Sequence, residues 1–210
     1  MNKYKIVSLV LAIALVATLV RLVYNTNVVP TDSKPAKEVV MNNILSRKSV
    51  RAYTDRPISK VQLDTLVRAA MAAPTGMDMR PWKFVIVDDK SVIDELAKGL
   101  PRAKMLAEAQ AAIVVCGDMS IKNDKGESSK NWMLDCSAAT ENLLLMAESM
   151  GIGAVWTGVY PYEDRTKTVK EILNLPEEIK PLCVIPMGYP KGNPQPKDKY
   201  NKENVRYNKW

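Results

Sequence analysis

Two short stretches of this chain stand out, and the first carries side chains suited to holding a phosphate. The first is Arg47-Lys48-Ser49-Val50-Arg51, which puts three cations and a hydroxyl into five residues just where a helical pattern ends. Guanidinium groups bind phosphate oxygens two at a time, and a serine hydroxyl adds a further donor. The second runs from Ala73 to Phe84, APTGMDMRPWKF, a loop punctuated by Pro74 and Gly76 that leads straight into an apolar segment. A five-residue basic run alone is usually just a solvated turn. The order and spacing of the two stretches, with a third, GIGAVWTG at 151–158, favour a ligand site.

The composition narrows the chemistry. There is no histidine, which removes histidine triads, histidine general bases and histidine metal ligands. Cys116, Cys136 and Cys183 are scattered among small or apolar residues without a CxxC pair, so they read as buried free thiols rather than as a zinc site or a disulfide framework. The net charge is +7, and the segment from Lys191 to Trp210 is its most basic part. Such a tail suits nucleic acid, an anionic membrane or a phosphorylated cofactor.

At 210 residues and 47% apolar, the chain suits one sizeable domain. Ahead of it, Lys3 and Lys5 precede the uncharged run Ile6 to Val20, which ends at Arg21. Residues 1–24 therefore read as a secretory signal or an N-terminal membrane anchor, with the domain that follows outside the cytoplasm. Residues 25–35, NTNVVPTDSKP, read as a polar linker, and the domain is expected over residues 36–210.

The elements that must position the motifs follow from periodicity. Ala36 to Ser46 is expected to be helical, with Val39, Val40, Ile44 and Leu45 on one side. Ser59 and Gln62 form a capping box opening a helix through Ala72, with Leu63, Leu66 and Val67 inward. Strands are expected at Trp82 to Val87, Ala111 to Cys116, Ile152 to Thr157 and Leu182 to Met187. Helices are expected at Ser91 to Lys98, Arg102 to Gln110, Asn131 to Met150 and Arg165 to Leu173. The long helix Asn131 to Met150 reads as central, apolar through Leu134, Ala138 and Leu143 to Met146. Alternating helices and apolar strands give a mixed α/β (α+β) domain around a central sheet.

With these pieces in order, the chain resembles the FMN-dependent nitroreductase family from about Met41 to Trp210. The resemblance rests on RKSVR, APTGMDMRPWKF, GIGAVWTG and LNLPEEIKPLCVIPMGYP, followed by the basic tail. It implies a nitroreductase-like sheet flanked by helices, an intertwined homodimer, and FMN at the interface. Arg47 and Ser49 then match ligands of the phosphate and ribityl chain, and Lys48 adds backbone or charge contacts. Arg51 matches a cation at the pyrimidine edge, where it stabilises negative charge on the reduced ring. Pro74, Thr75, Gly76 and Asp78 match the loop that reaches the flavin from the partner subunit. The family usually has Asn at position 78 and Gln at position 80; here Asp78 and Arg80 stand there and are able to pair. Thr157 and Gly158 match the segment lying against the ring, and Lys199 a cation that reaches the phosphate. Tyr200, Tyr207 and Trp210 are aromatic anchors for the tail, and no nucleic-acid motif accompanies its charge.

The implied activity is hydride transfer from NAD(P)H through flavin N5 to a small acceptor, nitroaromatic or quinone-like, in two half-reactions. No catalytic side chain and no metal are required, because the cofactor carries the chemistry. The alternatives are a membrane-tethered flavin-binding or interaction protein without NAD(P)H turnover, and a basic tethered domain that binds anionic polymers.

Overall fold

The computed structural model describes residues 2–27 and 34–210. Its contacts divide the chain into Met1–Met41 and Asn42–Trp210. The first part holds the helix α1 (Lys3–Asn27), which continues into the expected linker. Residues 28–33 of that linker lie outside the described residues. Among the described residues no helix is long and apolar enough to cross a membrane. The anchor expected at residues 1–24, and the membrane partner and outside placement that followed from it, therefore gain no support. The uncharged run Ile6 to Val20 has 15 residues. At ~1.5 Å per residue that is about 22 Å of helix, short of the ~30 Å hydrocarbon core unless Arg21 snorkels.

The helix α2 (Ala36–Ser46) contains no buried residue, and Ile44 and Leu45 are exposed. Beyond it come α3 (Lys60–Ala70), β1 (Trp82–Val87), α4 (Lys90–Gly99), β2 (Ala111–Asp118), α5 (Trp132–Ser149), β3 (Gly153–Ala154), β4 (Thr157–Gly158), α6 (Glu163–Ile172) and β5 (Ile179–Gly188). The sheet order is β1-β2-β5-β3, with β4 also on β5 and every pairing antiparallel.

Strand parity sorts the core into two layers. Ala111, Ile113 and Val115 of β2 face α3 and α5, packing with Leu63, Leu66, Cys136 and Leu143. Ala112, Val114 and Cys116 face α4 and α6, packing with Ile93, Leu96 and Val169. Because β2 is covered on both faces, all eight of its residues are buried. The three cysteines are free and buried, and burial pushes the thiols of Cys116 and Cys183 up to about 12.

The capping box at Ser59 is present, with the Ser59 side chain accepting from Gln62 N and Gln62 returning the bond to Ser59 N. Three expectations change. The strand expected over Ile152 to Thr157 is two short strands, both paired to β5 and separated by Val155 and Trp156. The helix expected over Arg102 to Gln110 shrinks to a 3₁₀ turn at Lys104–Glu108. Leu134 is exposed, because the buried stripe of α5 runs through Cys136, Ala139, Thr140, Leu143 and Ala147.

Candidate active site

The basic stretch follows α2 as extended chain and docks on β3. Ser49 bridges Ala154 in parallel, and Val50 N donates to Ala154 O at 3.0 Å. Val50 is buried against Gly153, where a Cβ would come within 2.7 Å of Val50 Cγ1, so only glycine allows the approach. Three residues on, Tyr53 is buried as well. Its hydroxyl lies 2.8 Å from Val50 O and 3.1 Å from Pro186 O, and burial raises its pKa. With Val50 turned inward, extended-chain alternation leaves its neighbours Ser49 and Arg51 facing outward, and both are exposed; Tyr53 departs from that alternation and is buried.

The ends of this stretch open onto two cavities. Arg51 lines one of about 480 Å³ together with Trp156, Thr157, Gly158, Arg102 and Arg165. Arg47 lines another of about 530 Å³ together with Leu45, Lys197, Lys199 and Tyr200. Residues far apart in sequence thus line common cavities: Arg51 with Thr157 and Gly158, and Arg47 with Lys199. Four residue steps of extended chain separate Arg47 from Arg51, roughly 13 Å at ~3.3 Å per residue.

Each wall has a local cause. Thr157 Oγ1 donates to Val184 O at 2.5 Å, and β4 pairs with β5 through Thr157–Val184 and Gly158–Cys183. A Cβ at Gly158 would meet no atom of this chain within 4 Å. Trp156, at 36% exposed, stands beside it in the cavity wall. Arg47 Nε lies 3.4 Å from Glu141 Oε1 of α5. The Lys48 ammonium donates at 2.7 Å to Glu148, also on α5, with both groups largely buried. Lys48 lines neither cavity, so its side chain ties the stretch to α5 rather than facing the ligand space.

The loop bearing Pro74, Thr75, Gly76 and Asp78 stands apart from both cavities. Its inner attachment is Asp135, a buried carboxylate on α5 that accepts from Gly76 N at 2.9 Å and from Ser129 Oγ at 3.3 Å. Its outer part turns through left-handed backbone at Met77, Asp78 and Arg80, with φ of 53°, 52° and 47°. There Arg80 forks onto Asp78, Nε to Oδ1 at 2.7 Å and Nη2 to Oδ2 at 2.5 Å. The hydrogen bonds from Arg80 hold the Asp78 carboxyl below its ordinary range. Asp78 therefore stays ionised and offers acceptors only.

Sequence reasoning missed Asp135 and Arg165. Asp135 sits on the buried stripe of a helix whose neighbours are apolar, and a carboxylate at such a position is the signal that was available. Arg165 Nη1 donates to Gly158 O at 2.9 Å across seven residues, a contact with no motif of its own.

Known proteins share this arrangement of chain. The description of the nitroreductase family matches residues 44–100 and 97–189. A protein of Methanothermobacter thermautotrophicus, provisionally named NADH dehydrogenase/NAD(P)H nitroreductase, is 38% identical over 179 residues, covering 85% of this chain and 92% of its own. A crystal structure from Parabacteroides distasonis under the same provisional name superposes with a TM-score of 0.77 at 54% identity, over 82% of this chain and 99% of that one. An FMN-dependent nitroreductase from Clostridium difficile gives 0.72 at 27% identity, over 81% of this chain and 99% of that one.

Proposed function

The chain belongs to the nitroreductase family, and from that premise we propose that it is an FMN-dependent NAD(P)H oxidoreductase serving a small acceptor, nitroaromatic or quinone-like, in two half-reactions. The observation that carries the reading is the stretch from Arg47 to Arg51 running between two cavities with cations at each end. A molecule with a phosphate at one end and a flat ring at the other matches that layout. The open face at Gly158 fits a ring, because a side chain there would fill space that no other part of this chain uses.

When bound, FMN supplies the hydride chemistry, taking reducing equivalents from NAD(P)H and giving them to the acceptor. The protein's part is to bind and orient. Arg47 and Lys199 hold the phosphate, and Ser49 donates along the ribityl chain. Arg51 places a fixed positive charge at the pyrimidine edge, where it stabilises charge that grows on reduction. Thr157, fixed through Val184, and Gly158 form the surface on which the ring rests. No general acid or base from the side chains is needed, which accords with a chain lacking histidine.

The assembly is a homodimer in this reading. Pro74, Thr75, Gly76 and Asp78 line neither of their own chain's two cavities and, in this reading, serve those of a second copy. Exposed Ile44 and Leu45 on α2, and exposed Tyr200, Tyr207 and Trp210 in the tail, supply apolar surface for the same association.

The full-length protein is expected to purify yellow and to release FMN on denaturation. Colourless protein that takes up no added FMN would contradict the proposal.

A further inference from the structure

Arg165 occupies an unfavourable place for a helix by itself. It is the third residue of α6, where the exposed N–H groups of the first turn repel a cation, and Glu163 and Asp164 are the residues that suit that end. Its side chain leaves the helix and reaches back to β4. Nη1 donates to Gly158 O at 2.9 Å, while the guanidinium lies 3.8 Å from the centroid of the Tyr162 ring. Among the described residues no carboxylate lies within ion-pair distance of it. The group is half-buried and lines the same cavity as Arg51, Thr157 and Gly158.

The β4 segment needs such a clamp. It is two residues long and is held by β5 on one side. The peptide after Gly158 is pinned at both ends, by Val159 N donating to Leu182 O at 3.0 Å and by Arg165 on the Gly158 carbonyl. A glycine has no side chain to restrict its backbone, so the orientation of this peptide depends on these two bonds. The fork and flat face of a guanidinium allow it to bond the carbonyl and stack on Tyr162 together; an ammonium does only the first.

We infer that Arg165 is a positioning residue: it fixes the Gly158 peptide against which the flavin ring rests, and so sets how tightly and in what pose the ring is held. The inference rests on the reading of this cavity as the flavin site.

The test compares full-length wild type, R165K and R165Q by FMN titration, visible circular dichroism of the bound flavin, and thermal melting. R165Q is expected to bind FMN roughly ten- to a hundredfold more weakly, the scale of one hydrogen bond to a charged group. Its visible dichroism is expected to change as well. R165K is expected to resemble R165Q in both readouts, since it retains charge but not the fork and the stack. Wild-type affinity and dichroism in both variants, with only the melting temperature lowered, would reduce Arg165 to a structural role and overturn the inference. A wild-type-like R165K beside a defective R165Q would show that charge alone acts, and would overturn it too. Wild type that takes up no FMN defeats the flavin reading itself, an outcome distinct from flavin-bound wild type beside indifferent variants.

Discussion

The wall carrying Arg51, Thr157 and Gly158 and the loop carrying Thr75, Gly76 and Asp78 are built in opposite ways. The wall stands on buried residues. Val50 and Tyr53 sink beneath Arg51, and β5, whose inner residues are fully buried, lies behind Thr157. Burying a side chain of the size of Val50 or Tyr53 contributes ~1.5–3 kcal/mol, so the outward residues inherit a rigid base. Among the described residues the loop is attached to buried structure through Gly76 on Asp135, and past it turns through left-handed backbone with an exposed Asp78–Arg80 pair. One region is complete within its own chain, and the other is presented to something else. On the proposed reading, the first region serves as ring wall and the second is left for a second copy.

The wall breaks most readily at Gly158. Gly158→Val adds a Cβ that meets nothing of this chain within 4 Å and branches into the cavity, so melting should change little while FMN binding is obstructed. Overpacking of ~1–3 kcal/mol or more corresponds to a loss of up to about a hundredfold or beyond. Unchanged FMN affinity in this variant would show that the ring lies elsewhere.

Arg47 and Lys48 offer a sharper contrast, two neighbouring cations with different tasks. Arg47→Ala should weaken FMN binding by roughly ten- to a hundredfold, as loss of a charge-assisted phosphate contact requires. Lys48→Ala should leave FMN affinity nearly unchanged and instead lower stability by ~1–3 kcal/mol, because Glu148 loses its partner. Denaturant melts and flavin titrations of both variants distinguish the two; equal effects on flavin would erase the contrast.

The tail lines the cavity at Arg47. Ending the chain after Pro196 removes Lys199, Tyr200, Tyr207 and Trp210. Dimer stability and FMN affinity should fall together, by about tenfold, because a ligand shared across an interface stabilises the assembly that binds it. Sedimentation with and without FMN measures both. A monomer that binds FMN as tightly as the intact chain would contradict a shared site.

The smallest effect belongs to the loop's own pair. Arg80 lowers the pKa of Asp78 from its ordinary 3.8, so any stabilisation by the pair is present above that value and disappears as pH falls through the lowered one. The difference in loop protection from protease between wild type and Asp78→Asn should be small near neutrality and vanish in acid. A difference that grows on acidification has the wrong sign for this pair.

Much of the wall was legible in the sequence. The RKSVR and GIGAVWTG stretches stood out as motifs, and the Ser59–Gln62 capping box follows from its spacing. The apolar run Ala111 to Cys116 announced the strand β2. Other features depend on partners far along the chain. The break at Val155 and Trp156 is invisible in a run of apolar residues, because either conformation satisfies the same pattern. Lys48 looks like a third phosphate cation until Glu148, a hundred residues away, is placed beside it. The outward α2 face also escaped periodicity, which finds an apolar stripe without saying what covers it.

The most direct measurement is an anaerobic titration of full-length, FMN-loaded protein with NADH or NADPH, followed by a nitroaromatic or a quinone. The flavin absorbance should bleach with one equivalent of the donor and return when the acceptor is added. A bound flavin that neither nicotinamide reduces, or that stays reduced in the presence of every such acceptor, would contradict the assignment of this chain as an NAD(P)H oxidoreductase for small acceptors.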